Sequence, residues 1–85
     1  MRKKLPIGNS KELIIRSTEE LGAFLQGTRK LQELTQLEIA GLGNTGNRVI
    51  VDIENGKPTA QIQKVLDYAN LLGLELVVRQ KGGAQ

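Results

Sequence analysis

The sequence predicts a mainly helical fold: four to five short helices built around a helix-turn-helix, with a short β-strand at the C-terminal end. Three observations predict it. Thr35-Gln36-Leu37-Glu38-Ile39-Ala40 reads as the opening of one short helix. At a fixed interval Ile50-Val51-Asp52-Ile53-Glu54-Asn55-Gly56-Lys57 reads as the body of a second helix, closed by a glycine cap. Leu74-Glu75-Leu76-Val77-Val78-Arg79, bounded by Gly73 and Gly82, has the composition of a strand. The second helix of such a unit enters the DNA major groove, so a small basic chain built on it is expected to read DNA and to do no chemistry.

Each element has a local cause. Ser17-Thr18-Glu19-Glu20 is a capping box that opens helix 1, and Leu21, Phe24, Leu25, Thr28 and Leu31 then share one face at the helical period. Gly22 and Gly27 inside it each cost about 1 kcal/mol relative to alanine. Thr35-Gln36-Leu37-Glu38 is a second capping box, with Ile39 and Ala40 as the core residues of helix 2. Gly41 and Gly43 weaken that helix, and Asn44 can adopt the left-handed conformation that ends it. Thr45 or Gly46 caps helix 3, Ile50 and Ile53 face inward, and Gly56 stops it. Pro58-Thr59 restarts the chain with Thr59 as N-cap, and Ile62, Val65, Leu66, Ala69 and Leu72 repeat at the helical period. Gly73 closes helix 4, with Leu74 positioned for the apolar contact of a Schellman motif. The strand 74–79 must pair, either with Leu13–Ile15 of the same chain or with its equivalent in a second copy.

With 85 residues there is room for one domain, whose small core is only marginally stabilising, so a homodimer is expected. The expected organisation is a flexible basic arm over 1–11, the DNA-binding domain over 12–80 and a disordered tail over 81–85. No cysteine or histidine is present, which removes disulfides, thiolate ligands and the usual general base. No enzyme, cofactor or metal is expected, and the composition fits a reducing cytoplasm, where a DNA-binding protein is nucleoid-associated. No apolar run approaches the roughly 20 residues that span a bilayer, and no apolar segment follows Arg2, Lys3 and Lys4 as in a secretory signal. The net charge of +3 is unevenly placed. Residues 1–11 carry four basic side chains and no acid, whereas the rest carries eight basic and nine acidic. That arm either follows phosphates or is a solvated tail.

From Ser17 to Leu74 the chain resembles the phage repressor/Cro-like (XRE) helix-turn-helix family. The matching residues are Leu34-Thr35-Gln36, Glu38-Ile39-Ala40, Ile50, Ile53-Glu54-Asn55-Gly56-Lys57 and Pro58-Thr59, in order and without a gap. The layout is most similar to the HipB-type antitoxins, through the lead Ser17…Leu21…Arg29…Thr35-Gln36 and the exit Leu72-Gly73-Leu74. The resemblance implies a dimeric repressor that binds a palindromic operator in double-stranded DNA and holds a HipA-type kinase toxin.

The resemblance also implies roles for single residues. Gln36 binds a DNA phosphate, as a helix N-terminus with free amides favours. Thr35, Thr45, Gly46, Asn55 and Lys57 join it, with the Gly56 amide in a backbone-clamping loop. Asn47, Arg48 and Asp52 fall on the base-reading positions. The Arg48 fork suits guanine O6 and N7, Asn47 suits adenine, and Asp52 either accepts from cytosine N4 or orients Arg48 four residues before it. Arg29 and Glu54 match a structural salt bridge. Leu74, Leu76, Val77 and Val78 are the candidate dimer-strand residues if the C-terminal strand pairs across two copies. The sequence departs from the family pattern at Gly43, Asn44 and Val51, where an apolar residue, a glycine and a polar residue are usual. The expected function is an autoregulating antitoxin repressor. The alternative is a protein-binding antitoxin or adaptor with little sequence-specific DNA binding.

Overall fold

The computed structural model describes residues 12–83. Four α-helices follow in order: α1 Thr18–Leu31, α2 Gln36–Leu42, α3 Asn47–Glu54 and α4 Ile62–Leu71, with a single 3₁₀ turn at Lys81–Gly83. The arm expected over 1–11, and the last two residues of the expected tail, lie outside the described residues. Helices α1 and α2 both pack on α3, and α4 closes the other side against α2 and α3. The recognition-helix position is therefore held from three sides.

The predicted caps form, with two corrections. The Ser17 hydroxyl accepts the Glu20 amide, but the Glu20 carboxylate takes the Arg16 amide at 2.7 Å instead of reaching Ser17. Helix α4 starts two residues later than Thr59 would set it, with Gln61 at the N-cap and no side-chain cap bond. The reason is a turn closed by the Ala60 amide on the Lys57 carbonyl, which takes up Pro58 and Thr59.

All four helices end in one way, with a residue of positive φ just beyond the C-cap. Glu33, Asn44, Gly56 and Gly73 take that position. The following amides of Leu34, Thr45, Lys57 and Leu74 return to the carbonyls of Arg29, Ala40, Asp52 and Ala69. These are Schellman closures, and Leu34 and Leu74 add the apolar contact by packing on the core.

The core consists of Leu25, Ile39, Ala40, Ile50, Ile53, Val65, Tyr68, Ala69 and Leu72. Most expected core positions are in it. Ile62 and Leu66 are not; they are 67% and 40% exposed, as is Leu31 at 44%. Tyr68, which the periodicity did not single out, is among the most completely buried side chains. At Gly43, where the family usually places an apolar side chain, the space is already taken. A Cβ there would meet Leu71 Cδ1 at 3.2 Å, so α4 fills the gap under the turn.

The expected C-terminal strand does not form. Residues 74–80 carry no regular secondary structure and no ladder bonds, and neither do residues 12–16. The two segments do lie together, since Arg79 Nη1 meets Glu12 Oε1 at 2.7 Å. No ladder joins the two segments among the described residues, so the expected within-chain pairing is not supported. Strand propensity supplies no hydrogen-bonding partner, and a single extended segment is not stable as a sheet.

Candidate nucleic-acid interface

The turn between α2 and α3 is set by short-range chemistry. Thr35 and Glu38 form a complete capping box: Thr35 Oγ1 accepts the Glu38 amide at 3.0 Å, and Glu38 Oε1 accepts the Thr35 amide at 2.7 Å. The amides of Gln36 and Leu37 remain at the open end of the helix, where a negative charge is favoured. Asn44, at φ 53°, reverses the chain after α2. Gly46 then caps α3 without a side chain, leaving the amides of Asn47 and Arg48 unobstructed.

The outer face of α3 carries a compact charge cluster. Arg48 Nε lies 3.1 Å from Asp52 Oδ1, one helical turn away, and Lys57 Nζ lies 3.4 Å from Asp52 Oδ2. Asn47 and Asn55 are exposed and Thr45 is half-buried, without side-chain hydrogen bonds among the described residues. Val51 is half-buried on the same helix. The structure thus joins Arg48, Asp52 and Lys57 by ion pairs, whereas the side chains of Asn47, Thr45 and Asn55 make no hydrogen bond to them.

The clamping-loop expectation needs correcting at its backbone. The amides of Asn55, Gly56 and Lys57 donate to the carbonyls of Val51, Ile53 and Asp52. None is free for a phosphate, so only the side chains of Asn55 and Lys57 are available. The loop is also pinned from behind: Thr18 Oγ1 donates to the Gly56 carbonyl at 2.7 Å. A Cβ on Gly56 would lie 2.7 Å from Glu19 Cα, so this glycine also serves a close approach to α1.

Glu54, the last residue of α3, is the hub beneath this face. Its side chain is fully buried and Arg29 is 7% exposed. Oε2 receives Arg29 Nε at 2.6 Å and the Tyr68 hydroxyl. Oε1 receives Arg29 Nη2 at 3.1 Å, Gln36 Nε2 at 2.9 Å and Gln26 Nε2 at 3.2 Å. Arg29 Nη1 continues to the Leu34 carbonyl at 2.7 Å, just before the α2 cap. One carboxylate therefore ties α1, α2 and α4 to the end of α3. Burial pushes the Glu54 carboxyl up, but the donors Arg29, Tyr68 and Gln36 and the Arg29 charge outweigh it and hold it below its ordinary value. Its hydrogen bond raises Arg29 further, and burial followed by the Glu54 contact pushes the Tyr68 phenol up.

The Arg29–Glu54 pair expected from the resemblance is present and buried. Sequence alone did not point to Tyr68, Gln26 or Thr18. Tyr68 had a signal, because a tyrosine amid a buried helical stripe needs a partner for its hydroxyl. Gln26 and Thr18 had none, since exposed-looking polar residues on a helix do not announce a distant acceptor.

Comparison with known proteins agrees with this geometry. A helix-turn-helix family model matches residues 25–78, from the middle of α1 into the C-terminal segment. The chain belongs to that family. The chain is also similar to an "Uncharacterized HTH-type transcriptional regulator y4mF" of Sinorhizobium fredii, 44% identical over 68 residues, which cover 80% of this chain and 90% of the relative. The helix-turn-helix match takes in the whole α2–α3 unit together with the Glu54 hub and Tyr68.

Proposed function

We propose that this helix-turn-helix protein is a DNA-binding transcriptional regulator that reads the major groove with α3. The observation that carries the reading is Arg48: its side chain is 84% exposed at the start of α3, yet anchored at Nε by Asp52. An oriented guanidinium on a rigidly held helix is what bidentate guanine reading requires. The relative's description as an HTH-type transcriptional regulator supports it. Gln36 contributes on the phosphate side. One hydrogen of its amide is committed to Glu54, which leaves the second for a phosphate beside the open amides of α2.

Two variants separate these roles. Arg48→Ala is expected to lower the preference for the operator over a scrambled duplex by about tenfold, in line with about 1–3 kcal/mol per bidentate pair. Gln36→Ala is expected to weaken both duplexes alike. Fluorescence anisotropy on the DNA upstream of the gene checks this, and an unchanged preference in Arg48→Ala contradicts the base-reading role.

The regulator is proposed to act as a homodimer. Leu13, Ile14, Leu76, Val77 and Val78 are all exposed, Val78 completely, on two irregular segments with no ladder partner among the described residues. Exposed apolar side chains on segments without ladder bonds are what an intermolecular sheet covers. Two-fold pairing would also match two recognition helices to a palindromic operator. Sedimentation of protein lacking residues 74–85 is expected to show a monomer where the full chain is a dimer. A truncated protein that stays dimeric at the same concentration would sink this version. The narrower role of antitoxin for a HipA-type kinase rests on the sequence resemblance; a kinase reading frame directly downstream of the gene would support it.

A further inference from the structure

We infer that Asp52 is a specificity-determining residue that acts through Arg48 and Lys57 and does not itself read a base. The inference rests on the DNA-reading role of α3 proposed above. Three features of the cluster carry it. Each Asp52 oxygen already has its own cation, Oδ1 with Arg48 Nε at 3.1 Å and Oδ2 with Lys57 Nζ at 3.4 Å. The carboxylate is also the least accessible of the three groups, its side chain 19% exposed against 84% for Arg48 and 52% for Lys57. A base edge approaching this face therefore meets the guanidinium before the carboxylate. Third, the Asp52 residue holds Lys57 twice, because the Lys57 amide also donates to the Asp52 carbonyl at 3.0 Å.

The contact geometry sorts DNA ligands by chemistry. Asp52 engages Arg48 through Nε, which leaves the Nη1 and Nη2 donors to pair end-on with guanine O6 and N7. Guanine reading keeps the internal ion pair intact. A phosphate, by contrast, competes with Asp52 for the same two cations and lies close to its negative charge. Sequence-independent binding is weakened and base-specific binding is kept, so one carboxylate raises the ratio between them. Isolated exposed pairs contribute little to folding, so the consequence is expected in selectivity and not in stability.

The test is selection from a randomised duplex pool by the full-length protein, Asp52→Asn and Arg48→Ala, with sequencing of the bound fraction. Asp52→Asn is expected to lose preference at the same guanine-containing position as Arg48→Ala. It is also expected to bind the unselected pool about three- to tenfold more tightly, with a steeper salt dependence, because two cations are released to phosphates. Loss of a cytosine preference at a different position, one that Arg48→Ala retains, would make Asp52 a direct reader and overturn the inference. So would an Asp52→Asn profile identical to that of the parent protein. A parent protein that enriches no sequence overturns the DNA-reading role and this inference together. Where the parent does enrich a sequence, a failed Asp52→Asn result overturns the role of Asp52 alone.

Discussion

Arg29→Met is expected to remove about 3–5 kcal/mol of folding stability, much of what a domain of this size possesses. Methionine preserves most of the packing volume, so the loss measures a buried carboxylate deprived of its counter-charge. Arg29 supplies two of the donors on Glu54 and, among the described residues, its only cation. The pH dependence provides a second, independent signature. In the parent protein Glu54 is held below 4.5, its ordinary value, so its contribution is fully present above that pH and is lost as pH falls through the lower, folded-state value. In Arg29→Met the burial that pushes the carboxyl up is opposed only by Tyr68 and the two glutamines. The folded-state value then rises above the unfolded one, and the variant gains stability as pH is lowered from 7 toward about 5. Urea unfolding at both pH values checks the reversal. A loss under about 1 kcal/mol, or an unreversed trend, would show that Glu54 is not under this control.

The second large effect concerns the crossing of α1 and α3. Gly22 is buried, and a Cβ there would lie 2.6 Å from the Glu54 carbonyl oxygen and closer still to that of Ile53. Both are backbone atoms at the end of α3 and cannot swing aside. Gly22→Ala is therefore expected to destabilise by about 3 kcal/mol or to force the helices apart, despite alanine's better helix propensity. Gly27 in the same helix is the internal control, since a Cβ there has nothing within 4 Å. Gly27→Ala is expected to be neutral or to stabilise by up to about 1 kcal/mol. Thermal melts of the two variants side by side decide the matter. Equal melting temperatures would mean that the α1–α3 contact tolerates the methyl group.

These two sites show which parts of the molecule were legible in the sequence. Ser17, Thr35, Asn44, Gly56 and Gly73 each act on backbone groups within a few residues, so local chemistry located α1, α2, α3 and the end of α4. Periodicity identified Val65, Ala69 and Leu72 as facing inward. It could not say how wide a stripe of α4 its neighbours would cover, and Ile62 and Leu66 fall beyond that cover. The segment 74–79 has strand composition, but a strand exists only with a partner, which composition does not supply. The Glu54 hub was half legible. Its arginine came from the family pattern, and Tyr68 announced only that its hydroxyl needs a partner, while nothing in the sequence shows that Gln26, Gln36 and Tyr68 converge on Glu54 from three helices. The cost of Gly22 in a helix was plain from the sequence; its purpose became visible only with α3 lying across it.

The central claim is that α3, held by the Glu54 hub, presents Arg48 to the DNA major groove. The measurement that tests it most directly is fluorescence anisotropy of the full chain on the duplex upstream of its own gene, beside a scrambled duplex of the same composition. It should be run at two salt concentrations. Tight binding to the upstream duplex and weak binding to the scrambled one are predicted, with a steep loss of both as salt rises, because phosphate contacts release counterions. Equal affinity for the two duplexes, or no binding at either salt concentration, would contradict the claim.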